Sequence, residues 1–406
     1  MKIYTPSLAT AKNIADKFST PVLVTDKNSL FHRVKIFKDA FKWQKTKIFY
    51  AIKANYTPAI VKTLKNAGVD GIDAVSPWEI EMAKMVGFTS SEIIFTGNNS
   101  SDEEMEFAHK EGVLLNIGSI SELKRFGERF GGSNISLRIN PGVGDGENKG
   151  VITAGDESKF GIDRMNFDDA KDLVKRHNLT VLGIHCHIGS GFYNTKTFSE
   201  AVKIIAAVAK AFSNLDFLDF GGGFGVRYHP DNPPINLSDF YESIKGTIEE
   251  FSKLNGKEIE IRFEPGKFLV AESTALIVKV TNVKKSGAKT FIGVNSGFNH
   301  LIRPAFYDAY HHIINLSNPD EKKIRADIVG NICESCDVLG KDIEISIPRE
   351  GDLLAILTSG AYTNSMSSLY NLRPYACEVM VDGDSIKQIK RRMTFDEMIN
   401  NLGFVV

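Results

Sequence analysis

"GIDAVSPWEIEMAKMVGFTSSEIIFTG", residues 71–97, decides the fold. Its ends are short runs rich in β-branched and aromatic residues, and "SPWEIEMAKMVG" (76–87) between them places apolar residues at three- and four-residue spacing. Strand, amphipathic helix, strand is the unit of a parallel sheet. The alternation recurs in both directions. After "PVLVTD" (21–26) come "IFYAIK" (48–53), "GIDAVS" (71–76), "IIFTG" (93–97), "LLNIG" (114–118), "SLRIN" (136–140), "GIHCHIG" (183–189), "LDFGGG" (218–223) and "IRFEPG" (261–266). "FSEAVKIIAAVAKAF" (198–212) is a second clear outer helix. Eight such runs predict an α/β fold, a (β/α)8 TIM-like barrel over residues 28–270. Beyond it, "TALIVKVTNV" (274–283), "KTFIGVN" (289–295), "DLLAILTSG" (352–360) and "CEVMVDG" (377–383) predict a second, mostly β domain over 271–406.

Composition agrees with two domains. The 406 residues exceed one ordinary core, and 42% hydrophobic with 24% charged residues is the balance of a soluble globular protein. Lys and Arg number 49 against 50 Asp and Glu. That leaves no basic field for nucleic acid or an anionic membrane, so the expected ligand is a small molecule. The start, "MKIYTPSLATAKNIADKF", lacks the apolar centre of a signal peptide, and no segment approaches a membrane span, which predicts a cytoplasmic protein. Cys186, Cys333, Cys336 and Cys377 are too few for a disulfide scaffold. Cys333 and Cys336 have C-x-x-C spacing without a second pair, which favours free thiols over structural zinc.

In barrel enzymes the active site lies at the carboxyl ends of the strands, with phosphates commonly on the loops after strands seven and eight. The polar residues at those ends are Lys53, Asp73, Ser76, Asn98, Arg138, Asn140, His187, Ser190, the glycines of "GGGFG" (221–225) and Glu264. Any one of them is an ordinary solvated residue; a whole ring of them is not. "GGGFG" lets backbone N–H groups approach a phosphate. Val226 breaks G-x-G-x-x-G and the chain has no P-loop, so the phosphate belongs to neither a dinucleotide nor a nucleoside triphosphate. "HCH" (185–187) puts two imidazoles on one strand face. A metal site completed by Asp73 and Glu264 is one reading of the pair, and a buried, hydrogen-bonded His185 is another. A lysine, a phosphate cradle, a ring to stack and an acid at one mouth suit pyridoxal phosphate. Lys53 would hold its aldehyde as a Schiff base, His187 would stack on the ring, and an ionised Glu264 would keep the pyridine nitrogen protonated.

"YAIKAN", "HCHIGSG", "DFGGGFG", "EPGK", "LIRPAFYDAYHH", "CESCD" and "GAYTNSMSSLYN", in that order from about residue 20 to the end, resemble diaminopimelate decarboxylase, a group of the fold type III, alanine-racemase-like pyridoxal phosphate enzymes. The resemblance implies a β domain that also takes in residues 1–27, and a homodimer whose subunits complete each other's sites. It implies Lys53 as the Schiff-base lysine, His187 on the ring and Glu264 at the pyridine nitrogen. Ser190, Gly222, Gly223, Glu264, Pro265, Gly266 and Lys267 would surround the phosphate, and Tyr362 would approach cofactor and substrate. Arg303 and Tyr307 would grip the substrate's distal carboxylate, with Glu334 of the partner subunit on the distal ammonium and the partner's Cys333 over the cofactor as the proton donor. A substrate charged at both ends needs both a cation and an anion away from the cofactor.

Two positions depart from the family pattern. "EPGK" replaces the common "EPGR", so Lys267 keeps the charge without the bidentate fork and stays a candidate for substrate or phosphate. In "CESCD" Cys336 often gives way to serine. The implied reaction is decarboxylation of meso-2,6-diaminopimelate to L-lysine and CO2, the last step of lysine biosynthesis. Its rivals are a decarboxylase of another basic amino acid or of carboxynorspermidine, a metal-dependent barrel hydrolase, and an inactive homologue acting as a binding module. Lys53 and Cys333, both present, speak against the last.

Overall fold

The structure, a computed structural model, describes residues 2–155 and 157–403. Residues 1 and 404–406, included above in the β-rich domain, lie outside the described residues. After β1 (Val22–Asp26), eight strands close into a parallel barrel in chain order. They are β2 (Thr46–Ala51), β3 (Gly71–Ala74), β4 (Ile93–Phe95), β5 (Leu114–Ile117), β6 (Asn134–Arg138), β7 (Thr180–His185), β8 (Phe217–Asp219) and β9 (Glu260–Phe263). Closure is made by β2 on β9, with Thr46 opposite Ile261. Each barrel strand falls on one of the eight runs read from the sequence.

The outer helices begin where the sequence supplies caps. Ser76, Ser101 and Ser119 each accept the backbone N–H three residues on, opening helices Pro77–Met85, Asp102–Lys110 and Ile120–Arg129. A side-chain oxygen there satisfies an N–H the helix leaves unpaired. Their inward faces bury Ile80 and Ala83, Met105 and Ala108, and Leu123 and Phe126.

Aromatic packing fixes the loops after β8 and β9. Phe37 has its ring 5.2 Å from that of Phe224, 5.6 Å from Phe263 and 5.7 Å from Phe268, mostly edge to face. Phe224 lies in "GGGFG", Phe263 precedes Glu264, and Phe268 follows Lys267. Burying each such ring contributes about 2 kcal/mol, so both candidate cofactor loops are pinned to the barrel's packing.

The chain divides into two compact units, residues 32–225 with 235–268, and 1–31 with 226–234 and 269–406. In the second, β1 pairs antiparallel with β10 (Thr274–Ser286) and parallel with a strand far along the chain. The remaining strands are β11 (Lys289–Val294), β12 (Ile313–Asn315), β13 (Lys323–Val329), β14 (Val338–Ser346), β15 (Leu353–Ile356), β16 (Cys377–Asp382) and β17 (Ser385–Lys390). Their order is β14-β13-β11-β10-β1-β16-β17, with β15 joining β10 to β12. This is the mostly β domain that the runs after residue 270 predict. No helix among the described residues is long and apolar enough to cross a membrane.

Candidate active site

β2 ends at Ala51 and a 3-10 turn, Ile52–Ala54, carries Lys53 past its carboxyl end. The Lys53 ammonium lies 3.3 Å from Oδ2 of Asp73, whose side chain is 1% exposed on β3, while the lysine side chain stays 40% exposed. A buried carboxylate thus holds an amine that a ligand can still reach. Glu79, in the first turn of its helix, accepts the Val75 N–H at 2.8 Å. Burial raises its carboxyl to about 7 against the pull of that bond and of Lys53. The sequence reading missed Glu79 because Ser76 with Glu79 has the spacing of an ordinary helix start.

Three more groups come from the ends of β7, β8 and β9. His185 Nε2 is 3.0 Å from Oε2 of Glu264, and Asp219 Oδ1 accepts the Gly221 N–H at 2.9 Å. All three residues are buried, and one donor atom from each lies within 4.8 Å of the others. It is the one group of metal-capable side chains found among the described residues, and it draws on His185 without His187. His187 turns elsewhere, with Nδ1 accepting the Gly222 N–H at 3.2 Å. Burial lowers both imidazoles, His185 to about 4, and Arg138 and Lys53 lower His187 further. Burial and then Asp73 raise Glu264, with Lys53, Arg138 and Arg262 opposing. Glu264 therefore has a high affinity for a proton. Its Oε1 is buried with no hydrogen-bond partner in the chain. Arg138 is buried with its guanidinium 4.8 Å from the Phe160 ring.

The glycines between these groups let backbone segments approach one another closely. Gly223 has φ +101°, and a Cβ there would lie 2.0 Å from the Gly189 carbonyl oxygen; at Gly222 it would meet the Glu264 carbonyl oxygen at 2.1 Å. Neither position tolerates a side chain. The Gly223 carbonyl accepts the N–H groups of Gly191 and Phe192, which ties Ser190, half-buried, to the glycine loop. A free buried carboxyl oxygen, a reachable amine and a side-chain-free cradle fit the pyridine nitrogen, aldehyde and phosphate of pyridoxal phosphate.

Lys267 closes the segment Glu264–Pro265–Gly266–Lys267. Its side chain is 5% exposed and its ammonium is 2.6 Å from Oε1 of Glu147, on the loop after β6. That loop is tied down by the Glu147 N–H to the Ser190 carbonyl and by Thr153 Oγ1 to the His187 carbonyl. Glu147 was missed because its partner stands 120 residues away. Lys267→Met is expected to weaken pyridoxal phosphate or substrate binding by roughly 1–3 kcal/mol, the range for a lost charged hydrogen bond. Lys267→Arg should bind like the parent. Equilibrium dialysis for the cofactor and KM for the substrate check this, and parental values for Lys267→Met would exclude any use of its charge.

Ser76 and Asn140 make local structural bonds. Ser76 caps its helix, and Asn140 Oδ1 accepts the N–H groups of Gly142 and Gly155. Asn98 is half-buried.

The other predicted residues lie in the β-rich unit. Arg303 is 2% exposed, its Nη1 donates to His311 Nε2 at 3.1 Å, and it stacks 4.7 Å from the Tyr228 ring. Tyr307 is half-buried, as is Tyr362, held at φ +58°. Cys333, Glu334 and Cys336 are exposed. Glu334 Oε1 accepts the Tyr370 hydroxyl at 2.5 Å, and the Cys333 N–H donates to Asn371 Oδ1 at 3.0 Å. Asp337, the last residue of "CESCD", accepts the N–H groups of Ile332 at 2.8 Å and Phe298 at 2.7 Å, so it shapes the turn that presents Cys333.

Known proteins resemble the chain along nearly its whole length. Residues 27–271 match the family described as pyridoxal-dependent decarboxylase, pyridoxal binding domain. Diaminopimelate decarboxylase of Methanothermobacter thermautotrophicus is 37% identical over 401 residues, covering 96% of this chain and 93% of the relative. That of Aquifex aeolicus is 35% identical over 398 residues, with 96% and 93% covered. Among solved structures, diaminopimelate decarboxylase from Helicobacter pylori complexed with L-lysine has a TM-score of 0.88 at 32% identity, covering 97% of this chain and 99% of that one.

Proposed function

The chain belongs to the diaminopimelate decarboxylases of the pyridoxal-dependent decarboxylase family, and from that premise we propose that it converts meso-2,6-diaminopimelate to L-lysine and CO2 with pyridoxal phosphate, the last step of lysine biosynthesis, in the cytoplasm. The observation that carries the reading is Glu264, a buried acid on a barrel strand end whose Oε1 has no partner in the chain. Pyridoxal phosphate supplies the electron sink for the carbanion left when CO2 departs. The chain's own residues supply the rest.

Lys53 anchors the cofactor, and Asp73 at 3.3 Å holds the amine in place before and after it is displaced. Glu264 keeps a proton for the ring nitrogen, which its raised proton affinity suits. His187 stacks on the ring, while Ser190, Gly222, Gly223, Pro265, Gly266 and Lys267 enclose the phosphate. Arg303, Tyr307 and Tyr362 take the substrate, Arg303 by its distal carboxylate. A distal carboxylate suits a buried guanidinium as a bidentate, charge-assisted partner, and lysine and ornithine carry none. Glu334 of the partner subunit takes the distal ammonium, and the partner's Cys333 returns the proton to carbon. Exposure of Cys333 and Glu334 supports this division, since side chains that serve a second copy have to stand on the surface. The active unit is then a homodimer.

The test is a visible spectrum of the protein with pyridoxal phosphate, before and after diaminopimelate, together with turnover of diaminopimelate, lysine and ornithine. A visible band that diaminopimelate perturbs, with turnover of that substrate alone, is expected; preference for lysine or ornithine would reassign the substrate. Glu264→Gln should retain the cofactor band and slow decarboxylation by about 10²–10³-fold, because the amide cannot hold the proton. An unchanged rate would remove Glu264 from the chemistry.

A further inference from the structure

Glu264 is held in the chain by one side-chain contact. Oε2 lies 3.0 Å from Nε2 of His185, and the equally buried Oε1 is free. A carboxyl with one oxygen free turns about its side-chain bonds unless the other is fixed. His185 is 0% exposed and is the last residue of β7, so it approaches from a rigid strand. Its Nδ1 has no partner. The single hydrogen of a neutral imidazole therefore has Glu264 as its acceptor.

We infer that His185 is a positioning residue for the ring-nitrogen proton: by donating Nε2–H to Oε2 of Glu264 it fixes that carboxyl and leaves Oε1 as the oxygen that exchanges a proton with the cofactor's ring nitrogen. The inference rests on the pyridoxal phosphate reading above. Charge in the pocket agrees with it. Lys53, Arg138 and Arg262 bring positive charge to Glu264, Asp73 and Asp219 bring carboxyls, and His187 lies two residues beyond His185. Burial lowers His185 to about 4, so it donates as a neutral group and does not compete with the ring nitrogen for the carboxylate's charge. Burial, and then Glu264, raise Asp219 to about 8, so the carboxyls of this pocket share a high affinity for protons.

The experiment loads parent, His185→Phe and His185→Gln with pyridoxal phosphate labelled with 15N in the ring and follows that resonance by NMR. In the parent it is expected at the protonated position from about pH 6 to about pH 9; in His185→Phe it should move to the neutral position within that range. The visible band should persist, and kcat should fall about tenfold with KM within about twofold. His185→Gln, whose amide N–H can replace the imidazole donor, should restore the protonated position. A ring nitrogen that stays protonated throughout in His185→Phe overturns the inference. If that variant does not fold, parent protein with 15N-labelled histidine decides. His185, assigned by loss of its signal in His185→Gln, is expected as the neutral Nε2–H tautomer, and an Nδ1–H tautomer or an imidazolium overturns the inference. A parent that gains no visible band with pyridoxal phosphate sinks the cofactor assignment itself, which a misplaced role for His185 alone cannot do.

Discussion

Lys53→Ala protein is expected to stay colourless with pyridoxal phosphate and to turn diaminopimelate over at least about 10³-fold more slowly than the parent. The side chain is the only amine among the described residues that the structure brings onto Asp73 at the end of β3. Without it the cofactor has no covalent anchor, and the buried Asp73 side chain loses its amine partner. The hydrophobic core should be unaffected, because the Lys53 side chain is 40% exposed and takes no part in it. Lys53→Arg sharpens the test: it keeps a cation for Asp73 and so preserves the local charge balance, yet a guanidinium does not condense with an aldehyde. Lys53→Arg should melt close to the parent, and both variants should lack the visible band. A normal band and normal turnover in Lys53→Ala would show that the anchor is another residue.

Mixing two inactive variants should restore about a quarter of the parent's activity. Lys53→Ala and Cys333→Ala homodimers are each expected to be nearly inactive, since every site then lacks either its anchor or its proton donor. Unfolded and refolded together, the two chains pair at random, and about half the dimers are mixed. In a two-fold dimer each subunit's motif serves its partner's site, so one of the two sites in a mixed dimer contains both native residues. Half the dimers with one working site of two gives the quarter. Each variant refolded alone is the control and must stay inactive. If mass spectrometry shows complete exchange and no activity returns, Cys333 acts within its own chain and the shared site is wrong.

The sequence carried the barrel because each βα unit is local: cap, apolar stripe and strand lie within about 25 residues, the range over which periodicity is readable. It carried less of the β domain. The strands Lys323–Val329, Val338–Ser346 and Ser385–Lys390 have charged or polar residues at several positions and many exposed side chains, so they do not stand out as apolar runs. The candidate site divides in the same way. Lys53, His187, the glycines and Glu264 were legible because barrel architecture says where strands end. Glu147 against Lys267, and Asp337 under the Cys333 turn, were not, because each pairing exists only once distant segments are folded together. His185 was legible as buried and hydrogen-bonded; that its acceptor would be Glu264 was not.

The pairing of Val22 with Cys377 sets an order on biosynthesis. A ribosome releases the first strand long before the last, and at roughly 5–20 residues per second the intervening 350 or so residues take about 20–70 s. All the barrel strands emerge within that interval, and Val22, Leu23 and Val24, among the most buried residues of the finished protein, can pair with β10 on one edge well before β16 is made to cover the other. Open strand edges of that kind seed association between nascent chains. A message truncated between about residue 270 and Cys377 therefore yields a chain with every barrel strand but with β1 still lacking the partner that covers one of its edges, so that the hazard of an incomplete chain sits on β1 and not on the barrel.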